Sequence, residues 1–336
     1  MKILILGVNG FIGNAILRQL LNSPIYTVFG MDINDNKISD IPKSKSFHFL
    51  EGDIDINNEW IEYHIKKCDV IIPLVAIATP NIYVKNPLKV FHLDFESNLK
   101  IVKLVAKYNK RIIFPSTSEV YGVSSDEYFN EYKTNLTTGP INKTRWIYSC
   151  SKQLLDRVIY SYGESGSLQY TLFRPFNFIG PKLDSLKQAQ LGNGRVFTIF
   201  LNNLINDKDI VLVDGGNQRR CFTDLRDGVD AILKIIDNKD ESSTNRIFNI
   251  GNPENNFKIK KLADKMIECY SKLSGKTYKG KLKVVTQNDY YGEGYEDIPI
   301  RVPDITEART KLGWEPVRNF EDTVEYTMRS FLEKLK

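Results

Sequence analysis

Histidine, methionine, tryptophan and cysteine are all scarce in this 336-residue chain, at three, four, three and four residues. The cysteines, Cys68, Cys150, Cys221 and Cys269, stand far apart and never form a CxxC pair, and His48, His64 and His92 do not cluster with them. That excludes a structural zinc site and leaves free thiols in a reducing compartment as the simplest account. No apolar run approaches the roughly 18 residues of a membrane helix. Met1 leads straight into an apolar stretch with no charged-then-apolar leader, so the expectation is a cytoplasmic protein with no membrane and no metal. Charge of one sign is also weak: 46 basic against 41 acidic residues give +5, and the basic residues are scattered. Without a basic stripe interleaved with aromatics, nucleic acid is excluded as a partner, and the small excess suits at most an anionic small molecule. Neither internal repeats nor a low-complexity linker divide the chain.

What is present is an ordinary apolar fraction of 42% with 26% charged residues, enough for a large core in one large or two modest domains. Residues 2 to 6 form an apolar run that ends at Gly7-Val-Asn-Gly10-Phe11-Ile12-Gly13, after which Ala15, Ile16, Leu17, Leu20 and Leu21 follow helical spacing. Strand, glycine turn and helix are the opening of a dinucleotide-binding unit, in which the backbone approaches a pyrophosphate at the helix N-terminus. A second strand, Tyr26 to Met31, ends at Asp32. The fingerprint expects its acidic residue there; a carboxylate accepts the adenosine ribose hydroxyls and repels a 2′-phosphate, which favours NAD over NADP. Asp53 closes a third strand. It either faces the adenine with Ile54 or caps a helix from Ile54 to Trp60.

Asp69 to Ala76 reads as a buried strand leading into the small-residue loop Ile77-Ala78-Thr79-Pro80. The helix around Phe91 to Tyr108 is expected to serve packing. Arg111 to Pro115 is a strand that runs into Ser116-Thr117-Ser118-Glu119, four hydrogen-bonding side chains at the sheet edge where open α/β folds bind ligands. Tyr148 and Lys152 follow at i, i+4 on a helix continued by Leu154, Leu155, Val158 and Ile159. A phenol and an ammonium on one face make Tyr148 a candidate general base, since a nearby cation favours the phenolate. Later come a strand tip at Asn177, a helix from Arg195 to Ile205, and a strand from Ile210 closing at Asp214-Gly-Gly216. Arg219 and Arg220 follow, and paired arginines beside such a turn suit a diphosphate as well as they suit a solvated turn.

The glycine turn, Asp32, the Thr117-Ser118-Glu119 loop and the YxxxK helix occur in the order found in extended short-chain dehydrogenase/reductases acting on nucleotide sugars, and Lys311-Leu-Gly-Trp-Glu-Pro316 resembles that family's C-terminal signature. Phe114-Pro-Ser-Thr-Ser-Glu-Val-Tyr-Gly122, Arg145-Trp-Ile-Tyr148 and Asn249-Ile-Gly-Asn-Pro-Glu254 are more specific. They are similar to the UDP-glucuronate decarboxylase half of ArnA-type bifunctional enzymes, and the resemblance covers nearly the whole chain but no formyltransferase half.

The resemblance implies an α/β fold: a Rossmann-type doubly wound parallel sheet with a smaller C-terminal substrate domain. Residues 1–177, with 218–250 returning, would bind NAD; 178–217 and 251–336 would bind the UDP-sugar. It implies NAD contacts from Gly7, Gly10, Phe11, Ile12, Gly13, Asp32, Asp53, Ile54, Tyr148 and Lys152. UDP-glucuronate would be held by Ala78, Tyr83, Thr117, Ser118, Arg145, Asn177, the segment from Val211 to Arg220 including Arg219, and Tyr295. Val211 stands where the resembled enzymes carry lysine. Catalysis would fall to Thr117, Ser118, Glu119, Tyr148, Lys152 and Arg301, with Glu119 as proton acceptor and Arg301 as proton donor or, since arginine rarely releases its proton, as an orienting cation. The implied reaction is oxidation at C4 of the sugar and loss of carbon dioxide, giving UDP-4-keto-pentose. UDP-xylose synthesis, 4-epimerisation and a non-catalytic NAD sensor are the alternatives. A homo-oligomer associating through helices is also implied.

Overall fold

The apolar runs of the first half become parallel strands buried on both faces, which is why polar residues interrupt them so rarely. The computed structural model of the chain describes residues 1–42 and 44–335. It begins with β1 (Lys2–Leu6), α1 (Phe11–Leu20), β2 (Thr27–Asp32), β3 (Phe47–Glu51), α2 (Asn58–Lys67) and β4 (Val70–Pro73). Short helices α3 (Pro80–Lys85) and α4 (Pro87–Phe91) pass through a π-helical turn, His92–Ser97, into α5 (Asn98–Lys107). Next come β5 (Arg111–Pro115), a 3₁₀ turn (Ser118–Tyr121), α6 (Trp146–Glu164) and β6 (Gln169–Pro175). The second half holds β7 (Phe178–Ile179), α7 (Leu186–Gln190), α8 (Val196–Ile205), β8 (Ile210–Val213), β9 (Arg219–Cys221), β10 (Thr223–Asp224), α9 (Leu225–Asp237) and β11 (Arg246–Ile250). It ends with β12 (Asn256–Lys258), α10 (Ile259–Ser274), β13 (Leu282–Val285), α11 (Gln287–Tyr291), α12 (Thr306–Leu312) and α13 (Phe320–Leu332).

Seven strands form one parallel sheet in the order β11-β6-β5-β4-β1-β2-β3. The period of two along each strand sorts its side chains into two cores. Ile3 and Ile5 of β1 pack with α1 and α9 on one face, whereas Leu4 and Leu6 pack with α2, α5 and α6 on the other. Chain order reverses between β1, which pairs Ile3 with Val28 of β2, and β4, which pairs Val70 with Ile3. Crossover connections leave on opposite faces there and open a crevice at the strand ends, the usual ligand position of such sheets. The fold is therefore the expected α/β, Rossmann-type doubly wound sheet. Three two-stranded pairings, β7 with β10, β8 with β13 and β9 with β12, form outside this sheet.

Several local expectations are corrected. The packing helix expected around Phe91 to Tyr108 is present, but its first part widens into the π turn, which carries the fully buried Asp94. The helix expected from Ile54 begins only at Asn58: Asp53 Oδ1 accepts the Asp55 N–H at 2.8 Å and its own N–H donates to Asn57 Oδ1 at 2.8 Å, so the segment is spent on a turn first. Arg195 precedes α8 as its cap.

Candidate active site

The glycine turn has no room for side chains. A Cβ on Gly13 would lie 2.3 Å from the Gly7 carbonyl oxygen, and one on Gly7, at φ +85°, would meet the backbone of Leu74 at 3.0 Å. Gly10 caps α1 without a side-chain acceptor, so the first N–H groups of the helix keep their capacity for an anion. Asp32, at the tip of β2, fixes the turn from the other side, accepting the Asn9 N–H and the Ile33 N–H at 2.8 Å each. Burial raises its pKa, and these backbone donors oppose the rise. The turn is thus a bare backbone cradle with a carboxylate at its far end, and these residues fit a dinucleotide. Asp53 and Ile54 lie beyond the neighbouring strand tip, β3.

Beside the turn a cavity of about 330 Å³ is lined by Phe11, Ile12, Ala78, Tyr83, Thr117, Ser118, Glu119, Tyr148, Asn177, Val211, Arg220, Tyr295 and Arg301. Residues from both halves of the chain therefore share one space. Thr117 reaches it because it caps the 3₁₀ turn, its Oγ1 accepting the Glu119 N–H at 3.2 Å. Asn177 sits at φ +42° with its buried Nδ2 unpartnered among the described residues. Arg301 is brought across by backbone pairing: Phe129 N–H donates to Val302 O at 2.8 Å, and Asp304 N–H donates to Phe129 O at 2.9 Å.

Glu119 is the electrostatic centre of the wall. Arg301 Nη1 donates to its Oε1 at 2.6 Å and Arg145 Nη2 donates to its Oε2. Burial acts to raise the carboxyl pKa, but Arg145, Arg301 and Arg220 together outweigh it and hold Glu119 at about 2. Such a group is a fixed anion and a poor base, which counts against the expected role of proton acceptor. Arg301 is buried as well; burial lowers its pKa while Glu119 opposes. Its Nη1 also points toward Ser118 Oγ at 3.5 Å.

Tyr148 stacks on Tyr83 with centroids 4.5 Å apart and planes at 9°. The expected depression of its pKa by Lys152 is not found. Burial first, and the Asp94 charge second, push the phenol up, with Thr117 and Tyr83 acting against the rise. Lys152 itself is paired: its Nζ lies 3.5 Å from Asp94 Oδ1 and donates to Pro115 O at 3.4 Å.

The expectation for Arg219 and Arg220 as a pair is also corrected. Neighbours on a strand point opposite ways. On β9, Arg220 turns inward to Asp297 Oδ1 at 2.6 Å and Ile298 O at 2.7 Å, whereas Arg219 turns away to Asn256 O at 2.6 Å. Arg145 stands behind Glu119 and over the Tyr295 ring at 5.2 Å, outside the lining itself.

Sequence reasoning missed Asp94, Arg195, Tyr290, Tyr291 and Asp297. Arg195 lies over the Phe11 ring at 4.9 Å and is paired with Asp184 at 2.8 Å. An acid between Leu93 and Phe95 was the available signal for Asp94, and the polar tyrosine-rich stretch from Asn288 to Arg301 was the signal for Tyr290, Tyr291 and Asp297; Arg195 gave none. Among the described residues no group of three or more histidine, cysteine or acidic side chains is arranged for a metal, and no helix is long and apolar enough to cross a membrane.

Comparison with known proteins places this geometry. The NAD dependent epimerase/dehydratase family matches residues 3–251. The structure of the PbgP3 protein from Burkholderia pseudomallei is 50% identical, covers 98% of this chain and 96% of its own, and superposes with a TM-score of 0.88. UDP-glucuronic acid 4-epimerase from Bacillus cereus, in complex with UDP-glucuronic acid and NAD, is 21% identical over 100% of both chains with a TM-score of 0.81. UDP-glucose 4-epimerase from Thermotoga maritima, with UDP-glucose, is 22% identical over 100% of both chains, also at 0.81. At 21 and 22% identity the likeness speaks for the fold. On the match over residues 3–251, the chain belongs to the NAD dependent epimerase/dehydratase family, and its cofactor is NAD.

Proposed function

We propose that the chain is a UDP-glucuronate decarboxylase that oxidises the sugar at C4 with NAD and releases UDP-4-keto-pentose, NADH and carbon dioxide. The observation that carries this reading is the buried arginine cluster at the cavity, Arg220 and Arg301 on its wall and Arg145 behind Glu119, three guanidinium groups against the carboxylates of Glu119 and Asp297. One positive charge remains for an anionic sugar.

Gly7, Gly10, Phe11, Ile12 and Gly13 would hold the NAD diphosphate, and Asp32 the ribose. NAD, when bound, would supply the acceptor for the hydrogen and electron pair that leave C4. Burial and Asp94 disfavour the Tyr148 phenolate in the protein without NAD, so Tyr148 takes the proton of the 4-hydroxyl once the positive charge that NAD would bring favours the phenolate, and Thr117, beside it on the cavity wall, donates a hydrogen bond to the forming ketone oxygen. The ketone stands β to the carboxylate on C5. When that C–C bond breaks, its electrons pass into the ketone as an enolate, carbon dioxide leaves, and C5 later takes a proton. Arg301, held by Glu119, orients the departing carboxylate with Ser118. Glu119 serves as the fixed counter-charge that keeps two arginines in place.

Two variants of the reading differ in product. Return of the hydrogen to C4 of the decarboxylated ketone gives UDP-xylose. The shared fold with the Bacillus cereus enzyme favours 4-epimerisation as a second reading. Product mass and NADH absorbance after incubation with UDP-glucuronate and NAD separate them. A UDP-ketopentose with stoichiometric NADH is expected, UDP-pentose without NADH supports the xylose variant, and a product isobaric with the substrate contradicts decarboxylation.

A further inference from the structure

Directly behind Tyr148 lies a carboxylate to which that reaction gives no part. Asp94 is fully buried on the π-helical turn His92–Ser97, a widened turn of the kind that re-aims side chains at functional sites. Its Oδ2 accepts the Ile77 N–H at 2.9 Å. Its Oδ1 lies 3.5 Å from Lys152 Nζ and has no hydrogen-bond partner among the described residues. Lys152 is 1% exposed, bonds the Pro115 carbonyl at 3.4 Å and rests over the Phe114 ring at 4.9 Å. The pair thus joins three ligand-facing segments: the loop after β4 that carries Ala78, the end of β5 just before Thr117, and α6 with Tyr148. An ammonium and a carboxylate this deep are each unfavourable alone, so each charge depends on the other. The titratable groups that face the pair are Tyr148 on α6 and Tyr83 on α3, both of which respond to the Asp94 charge, and Asp156 on α6, which responds to Lys152 but is itself paired with Arg174 at 3.1 Å.

We propose that Asp94 is a positioning residue for proton transfer at Tyr148: as counter-ion it keeps Lys152 an ammonium inside the protein, and through Ile77 it fixes the loop that brings Ala78 to the same cavity. The inference rests on the role of Tyr148 given above.

Asp94→Asn keeps the shape and the acceptor for Ile77 and removes the charge. A buried ammonium that has lost its carboxylate gives up its proton more readily. The pH–rate profile of the variant with UDP-glucuronate and NAD is therefore expected to gain an alkaline fall. At its alkaline end kcat drops about tenfold or more relative to the parent, while KM for UDP-glucuronate stays within about twofold. A merely structural role lowers kcat by one factor at every pH, and parallel profiles would overturn the proposal. Thermal unfolding gives an arm that needs no substrate. Lys152→Met leaves the Asp94 charge buried and unpaired, so adding Asp94→Asn is expected to recover a few degrees of the lost Tm. A double variant melting at or below Lys152→Met overturns the pairing. Should the parent fail to turn over UDP-glucuronate, the decarboxylase reading falls while this cycle still decides the pair.

Discussion

Glu119 and Tyr148 carry opposite electrostatic burdens within one wall. Three arginines hold Glu119 at about 2 against an ordinary 4.5. A carboxyl whose pKa is depressed in the folded state contributes stability that is complete above the ordinary value and is lost as the pH falls toward the depressed one. The contribution is about 3 kcal/mol, lost between about 4.5 and about 2. Glu119→Gln is expected to melt lower than the parent at pH 7 and to converge with it under acid, read from Tm against pH; parallel curves would show that the cluster does not bind the charge. Tyr148 is raised by burial and by Asp94. Tyr148→Phe is expected to lower turnover by about 10²- to 10⁴-fold while NAD titrations by calorimetry remain near the parent's; unchanged turnover would remove Tyr148 as the base. Both residues were legible in the sequence because local motifs mark them. Their charge states were not, since these depend on Arg301, Arg220 and Asp94, which reach them only through tertiary packing.

At the scale of the element, the glycine turn and α1 follow from spacing alone, and the structure supplies the reason. Gly13→Ala would put a methyl group 2.3 Å from the Gly7 carbonyl oxygen and 3.0 Å from the Val8 backbone. It is expected to cost about 1–3 kcal/mol in unfolding experiments and to weaken NAD binding at least about tenfold; native affinity would mean that the cradle is not the diphosphate site. Strand periodicity likewise separates Arg219 from Arg220, but only once β9 is known to be a strand. The π turn was hidden: Leu93, Phe95, Leu99 and Val102 read as a helix whether or not its ladder widens at Asp94. The available trace was Asp94 itself, an acid flanked directly by Leu93 and Phe95.

Across the whole molecule a buried polar chain links the active-site strand tip to the edge strand β11 of the sheet. Ser116 Oγ donates to Asp156 at 2.7 Å, Arg174 bonds both Asp156 and Tyr121, Tyr121 OH donates to Asn249 Oδ1 at 2.7 Å, and the Asn249 N–H donates to Glu131 at 2.7 Å. Burial raises Glu131 to about 7 despite that bond. A carboxyl raised in this way stabilises the fold below its ordinary 4.5, and the benefit is lost as pH rises through about 7. Glu131→Gln is therefore expected to be more stable than the parent at pH 8, by about 1–3 kcal/mol, and nearly equal near pH 4.5; an equal loss at both would contradict the account. The parallel sheet and its ligand edge were legible from strands, turns and their order, and Arg220 was marked as one of a pair of arginines beside a turn, whereas the arrival of Tyr295 and Arg301 on that edge rested on resemblance alone. The central claim is that oxidation at C4 releases the neighbouring carboxylate. The measurement closest to it is carbon dioxide evolved from UDP-glucuronate labelled in its carboxyl group, with and without NAD. Labelled gas that appears only with NAD and disappears in Tyr148→Phe is the predicted result; label retained in a C4-inverted sugar nucleotide would contradict it.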